Sequence, residues 1–312
     1  MSAGAPEADA AFADRLLGAL IPLAIRIAEW VGVEPTLRFG EGLGGAWWAI
    51  GGPRCRRVRA QLARAFPERD AVWIDATARG VFVHLALGLA EGLLLSGRHR
   101  PTLLARAEIE GLEHLTAARE QAGDGGVLLV APHLGNWELA GAKLADLGLP
   151  VAAVYRDPAR PALERALLRI RGTAVAAIPM GPRAGVHFRR ALGDGRTVLA
   201  LLDQRGKAGE SVLVSFFGRT APTRSAPIQL AARAAAPVVC GWAARGPDRR
   251  RHRLTIQPAL QPRLQASDDE EVLRRFLQQV TAEFEQAIRA TPEQWIWTHR
   301  RWREPPEPTD AT

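Results

Sequence analysis

The hydrophobic rhythm of the chain changes near residue 126. Upstream, apolar residues recur at helical spacing, and the stretches 16–33, 54–65 and 70–95 predict helices, with Phe66-Pro67 breaking the last two apart. Within 70–95, His84 and Glu91 read as helix-packing residues rather than ligands. Downstream, short apolar runs alternate with helical segments, the pattern of βαβ units. Strands are predicted at 127–131, 151–155, 174–178, 197–202, 212–217, 237–242 and 254–257. Helices are predicted at 137–147, 161–171, 184–192, 226–235 and 268–290, the last carrying Val272, Phe276, Val280, Phe284 and Ile288 on one face. The expected fold is α/β, a central mostly parallel sheet flanked by helices, with a helical membrane-associating N-terminal segment. Residues 1–14 and 304–312 are expected to be disordered tails, 15–100 the helical segment and 101–303 the α/β core.

Composition narrows this picture. Apolar residues make up 47% and charged residues 24% of 312 positions, which suits a globular chain with a sizeable core. Cys55 and Cys240 are far apart and lack metal spacing, so neither a disulfide framework nor a zinc site is expected, and a reducing compartment fits. The net charge is +8, and only Lys143 and Lys207 among the 41 basic residues are lysines. Guanidinium suits bidentate recognition of phosphate or carboxylate, although a GC-rich genome accounts for the same bias. No zinc finger or RNP-like aromatic motif accompanies the charge, so nucleic acid is not the expected partner. Anionic lipid or an acidic carrier protein explains it with fewer additions.

The first 14 residues lack a basic n-region, and no cleavable signal peptide is expected. The apolar stretch 16–33 contains Arg26 and Glu29, which interrupt the roughly 20 apolar residues a membrane span requires. It suits a helix lying in the membrane interface, with Trp30 at headgroup level. Residues 39–52 add a second apolar patch with Trp47-Trp48, followed by Arg54, Arg56, Arg57 and Arg59. Together they suggest a surface anchor touching anionic lipid; a core helix pair with a solvated basic face accounts for the same residues.

Candidate chemistry concentrates at His133-Leu-Gly-Asn-Trp-Glu138, where the apolar run ending at Pro132 gives way to a predicted helix. In a continuous helix, side chains five residues apart diverge by roughly 140°. Gly135 permits a turn, however, and Asn136 is a good N-cap for a helix starting at Trp137. Glu138 in the first helical turn can then fold back onto the His133 ring, leaving the other ring nitrogen free to take a proton. The spacing equally fits a surface histidine beside an ordinary helical glutamate. Other polar groups follow predicted strands: Tyr155-Arg156, Asp203-Gln204-Arg205, and Arg219-Thr220 after Phe216-Phe217-Gly218. Ligands of α/β sheets bind beyond the carboxyl ends of strands, so these groups are expected at one mouth. Neither a dinucleotide-binding Gly-x-Gly-x-x-Gly, nor a P-loop, nor a Gly-x-Ser-x-Gly elbow occurs in a suitable context.

The block 133–138 matches the His-x4-Asp/Glu motif of glycerolipid and lysophospholipid acyltransferases. In its Asn-Trp-Glu form it resembles the lipid A biosynthesis (lauroyl/myristoyl) acyltransferases of Gram-negative bacteria. The resemblance extends over about 15–303. It includes Arg56-Arg57, Ala65-Phe66-Pro67-Glu68, Val154-Tyr155-Arg156, Asp203-Gln204, the block 216–223, and the block 292–302 with Trp295, Trp297 and Trp302. The chain has Gln61-Leu62 and Arg160-Pro161 where family members commonly carry Asn-Leu and Asn-Pro.

The resemblance implies transfer of a fatty acyl chain from an acyl-carrier-protein thioester, or acyl-CoA, to a hydroxyl of a Kdo-bearing lipid A precursor. A sister reaction on another glycolipid, phosphoglycolipid or lysophospholipid is the alternative, and the expected location is the cytoplasmic face of the bacterial inner membrane. His133 is then the base and Glu138 its orienter; no metal, nucleotide or other cofactor is implied. Amides near Gly135, Arg169 or Arg171 are candidates for the oxyanion, and Asn136, Tyr155, Arg156, Arg169, Arg171, Asp203 and Arg219 for substrate contacts. Asp203 fits equally the positioning of an arginine or of the acceptor, or a structural salt bridge. The C-terminal tryptophans, interleaved with His299, Arg300, Arg301 and Arg303, fit an interfacial belt or packing of the last helix onto the sheet.

Overall fold

A computed structural model describes residues 5–158, 160–206, 209–260 and 270–302, with side chains from residue 11 onward. Five helices come first: α1 (Ala5–Val31), α2 (Val33–Ile50), α3 (Pro53–Ala65), α4 (Ala71–Leu95) and α5 (Arg100–Ala105). Helix α1 therefore begins at Ala5, well inside the expected tail of 1–14; the expected tail 304–312 and the start of the last helix at 268–269 lie outside the described residues. Asp70 starts α4 as N-cap, its carboxylate accepting from the Trp73 amide at 2.8 Å. A Cβ on Gly44 of α2 would lie 2.4 Å from the Val83 Cα of α4, so only glycine permits this approach of the two backbones.

The α/β part runs β1 (Ala107–Glu110), α6 (Leu112–Ala122), β2 (Val127–Ala131), α7 (Trp137–Asp146), β3 (Val151–Tyr155), α8 (Pro161–Arg171), β4 (Val175–Pro179), α9 (Ala184–Gly193) and β5 (Thr197–Leu201). It continues with β6 (Ser211–Phe216), β7 (Arg219–Arg224), α10 (Ala226–Arg233), β8 (Val238–Arg245), β9 (His252–Ile256) and α11 (Glu270–Ala290). Seven strands form one sheet in the order β1-β9-β8-β2-β5-β3-β4, parallel at every pairing except β8 with β9. Strand β2, at the centre, is buried at all five positions, as expected of a parallel strand covered on both faces.

One expectation is corrected. The run 212–217 is not a strand of the main sheet: β6 pairs antiparallel with β7 in a separate hairpin turning at Phe217-Gly218, and the hairpin leans on α11 through Gln278, which bonds both Ser215 N and Ser215 O. Strand β7 is not among the predicted strands; its Pro222 cannot donate to a ladder, which a two-stranded hairpin tolerates at an outer position. The N-terminal helices pack into the α/β part. Leu62, Phe82, Leu134, Phe216, Ile288 and Trp295 belong to one hydrophobic cluster that joins α3 and α4 to the α/β part. Arg106 and Arg250 clamp Glu34 of α2 at 2.8 Å each.

The C-terminal tryptophans are interior residues. Trp295, Trp297 and Trp302 are all buried, and their ring nitrogens donate to Asp203, the Pro292 carbonyl and the Phe216 carbonyl. Gln61 stitches this block to α3, its amide donating to the carbonyls of Trp297 and His299. Trp47 and Trp48 are half-buried and pack at 5.1 and 5.8 Å from Phe82, with Arg59 over Trp48, so they form a helix joint.

Candidate active site

Strands β2 and β5 are parallel neighbours in a register that offsets residue numbers by 70, from Val127 opposite Thr197 to Ala131 opposite Leu201. Carried two residues past the strand ends, the same offset brings His133 to Asp203. One oxygen of Asp203 lies 2.5 Å from His133 Nδ1; the other accepts the His133 backbone amide at 2.7 Å and the Trp295 indole N–H at 2.6 Å. Burial alone would raise the Asp203 carboxyl, but the charge of His133 and the hydrogen bonds from His133 and Trp295 hold it below the usual carboxylate value. With Asp203 ionised, Nδ1 carries the donated proton and Nε2 keeps its lone pair. Nε2 faces a cavity, 3.2 Å from the Gln204 side-chain amide, and the Trp137 ring meets the His133 ring edge-on at 5.0 Å.

The sequence reading had Glu138 folding back onto His133; the structure gives Glu138 a different partner. Asn136 caps α7 as expected, its Oδ1 accepting from Leu139 N at 2.9 Å. Glu138, in the first turn, receives two parallel hydrogen bonds of 2.9 Å from Arg171 at the end of α8. A guanidinium fork satisfies both carboxylate oxygens at once, whereas the Asp203 carboxylate already occupies Nδ1. Arg171 also lies over the Tyr155 ring at 5.4 Å, and the Tyr155 hydroxyl donates to Glu164 at 2.8 Å.

The cavity has a volume of about 1270 Å³. Its lining includes the polar residues His133, Glu138, Tyr155, Arg156, Arg171 and Gln204 and the apolar residues Leu167, Ile178, Phe188, Leu202, Val212 and Leu230. A second, mostly apolar space of about 40 Å³ lies between the sheet and α7 and shares Trp137, Glu138, Val154, Arg171 and Leu201 with the first. Three other candidate residues are placed elsewhere. Arg169 is exposed and donates to the Ser96 carbonyl, Arg219 is exposed and donates to the Arg64 carbonyl, and Asn136 is buried behind the motif. The amides of Gly135 and Asn136 donate to the Gln294 and Ala243 carbonyls, so they are not open to an oxyanion. Among the described residues, no group of three or more His, Cys, Asp or Glu side chains is arranged to hold a metal ion.

Sequence reasoning missed Gln204 as a neighbour of His133 and Trp295 as a support of Asp203. The signal for both was proximity to Asp203, which is visible only once the strand order is known.

Residues 19–304 match the family of bacterial lipid A biosynthesis acyltransferases. The chain belongs to this family. It is thus an acyltransferase. Two characterised relatives are similar at modest identity. The lipid A biosynthesis lauroyltransferase of Escherichia coli (strain K12) is 28% identical over 273 residues, covering 86% of each chain. The phosphatidylinositol mannoside acyltransferase of Mycolicibacterium smegmatis (strain ATCC 700084 / mc(2)155) is 28% identical over 207 residues, 62% of this chain and 66% of that one. Among solved structures, the 1-acyl-sn-glycerophosphate acyltransferase PlsC from Thermotoga maritima aligns over 93% of this chain and 100% of its own, at 16% identity and a TM-score of 0.37.

Proposed function

We propose that this acyltransferase moves a fatty acyl chain from a thioester, carried by acyl carrier protein, to a hydroxyl of a lipid A-type glycolipid, with His133 as general base. The observation that carries this reading is the His133–Asp203 pair beside a cavity lined by both polar and apolar side chains. Nε2 takes the proton of the acceptor hydroxyl as its oxygen attacks the thioester carbonyl. The tetrahedral oxyanion then collapses, the carbon–sulfur bond breaks, and the thiolate leaves with the proton that His133 held. Asp203 stabilises the imidazolium formed between these steps. Since the Gly135 and Asn136 amides are engaged, the oxyanion is assigned to donors that face the cavity, among them Gln204. The Arg171–Glu138 pair also lines the cavity, and Arg156 in the same lining suits an anionic group on the acceptor.

The location at the cytoplasmic face of the inner membrane rests on surface chemistry. Helix α1 exposes Phe12, Leu16, Leu20, Leu23, Ile27 and Trp30, and α2 exposes Phe39, Leu43 and Ile50. Such apolar faces, with Arg54 and Arg56 exposed on α3, suit an interfacial helix pair on anionic lipid. Helix α4 has the length and hydropathy of a membrane span, but most of its apolar window is buried in the protein.

A second reading is favoured by the similarity to the phosphatidylinositol mannoside acyltransferase: the same chemistry on a different phosphoglycolipid. Lipid mass spectrometry of cells with and without the protein separates the two by the lipid that loses one acyl chain. Loss of acyl-chain signal from a lipid A-type species supports the first reading. No change in any acylated lipid, together with no turnover of acyl-carrier-protein thioester by purified protein, overturns both.

A further inference from the structure

Behind the motif, outside the cavity, lies a cluster of charged and titratable side chains that the chemistry above does not use. Glu91 and His84 come from α4, Arg245 from the end of β8 and His252 from the start of β9, and all four are buried. Glu91 Oε2 accepts from Arg245 Nη2 at 2.6 Å and from the Asn136 side-chain amide at 2.7 Å, while Oε1 lies 3.1 Å from His252 Nε2. His84 Nε2 lies 3.2 Å from the Gly135 carbonyl oxygen. An oxygen can only accept, so Nε2 carries the proton and Nδ1 is left as acceptor for Arg245 Nη1 at 3.4 Å. The ring is kept neutral: burial first, then the charge of Arg245, lowers its pKa from 6.5 to about 3.

Buried ion sets contribute little net stability compared with apolar packing, so the contacts they direct outward say more about their use. Here those contacts converge on one turn. Glu91 grips the Asn136 side chain and His84 the Gly135 carbonyl. Arg245 adds a third hold through Gln294: its backbone exchanges bonds of 2.6 and 2.7 Å with the Gln294 side chain, and the Gln294 carbonyl accepts from Gly135 N at 3.1 Å. Only glycine fits the turn in this shape. Gly135 has φ +65°, and a Cβ there would lie 1.7 Å from the Ala243 carbonyl oxygen.

We propose that Glu91, His84 and Arg245 form a positioning device that holds the Gly135-Asn136 turn from behind and so fixes the angle at which His133 presents Nε2 to the cavity. The inference rests on the reading of His133 as the base. Misplacement of a reacting group by about 1 Å costs on the order of 100-fold in rate, and that is the scale of effect expected when the grip is lost.

Three substitutions in the full-length protein test it. His84→Leu removes the donor to Gly135 and is expected to lower kcat about 10- to 100-fold with KM within about threefold, on the same estimate. His84→Gln, whose amide can donate to Gly135 and whose oxygen can accept from Arg245, is expected to recover most of that loss. Asn136→Ser keeps a helix cap on α7 but lets go of Glu91; its kcat is expected to fall while the thermal midpoint stays near wild type, and it serves if His84→Leu does not fold. Independently of turnover, the proton on His133 Nδ1 is followed by NMR: its resonance should shift or broaden in His84→Leu and return in His84→Gln. Equal activity of the two His84 variants, wild-type kcat in Asn136→Ser, or an unmoved resonance in His84→Leu overturns the positioning role. A wild-type protein with no acyl transfer overturns the proposed function instead, and the resonance still reports on the turn.

Discussion

Two carboxylates near the cavity, Asp203 and Glu138, are each paired with a basic side chain, and the pairs are supported very differently. On one side, Asp203 and His133 extend from adjacent strands and are rooted inward, on Trp295 and on the interior cluster around α4. On the other, Glu138 is held by Arg171 of α8, and α8 leans on α1: the Asp14 carboxylate accepts the Ala162 amide at 2.9 Å in the first turn of α8. The outer face of α1 is the apolar stripe from Phe12 to Trp30. One side is thus fixed to the sheet, while the other continues into the helix proposed to meet lipid. The proposed base and its carboxylate thus lie on the side rooted in the sheet, away from α1.

The sharpest test of this contrast separates the carboxylates. His133→Ala is expected to lower kcat by at least about 10³-fold, and Asp203→Asn by about 10²- to 10⁴-fold, since an amide no longer favours the tautomer that leaves Nε2 free. Rates come from acyl-carrier-protein thioester turnover, with circular dichroism confirming the fold. A Glu138→Gln loss larger than that of Asp203→Asn would reverse the assignment of orienter.

Glu138→Gln is expected instead to cost stability, up to about 3 kcal/mol, because it leaves the buried Arg171 guanidinium without its counter-charge. Adding Arg171→Gln should return part of that loss in thermal denaturation. A double variant that is simply the sum of its parts would show that the pair does not act as a unit.

On the α1 side, Leu20→Asp with Ile27→Asp places charge on the stripe. Vesicle flotation with anionic lipid should show binding reduced by roughly tenfold or more, about 1.4 kcal/mol, while turnover of a water-soluble thioester with a short-chain acceptor stays within about twofold. Unchanged flotation would remove the stripe from the membrane contact.

The smallest effect is on pH dependence. His84 faces Arg245, Glu91 and His252, and stays neutral when folded down to about pH 3, against an ordinary 6.5. Between those values the unfolded chain takes up a proton that the folded chain refuses. This contribution to stability is present above 6.5 and is lost progressively as pH falls toward 3. Thermal midpoints measured downward from about pH 7 should therefore decline more steeply in wild type than in His84→Gln, which cannot take up the proton. Identical slopes would mean the ring is not held neutral.

How far the sequence could be read depended on the range of the interactions. Strand β2 and helix α7 are local features: an unbroken apolar run, then Gly135 as the turn and Asn136 as the cap. The partner of His133 is 70 residues away, and it is set by β5 lying next to β2, an order that no local pattern encodes. A neighbouring carboxylate five residues on was the nearer choice, and it has its own partner from α8. Residues 212–216 have the alternation of a sheet strand, yet the hairpin with β7 claims them. The tryptophans of 295–302 looked equally suited to water–lipid boundary and interior; burial of all three N–H groups onto protein acceptors decides for the interior.

The constant offset between β2 and β5 also limits how the gene can change. His133 and Asp203 meet because each lies two residues past its strand. An insertion or deletion of one codon between Ala131 and His133, or between Leu201 and Asp203, would draw one partner out of reach while leaving the sheet intact. The two short loops must therefore keep equal lengths across descent, while the segments that join them are free to lengthen.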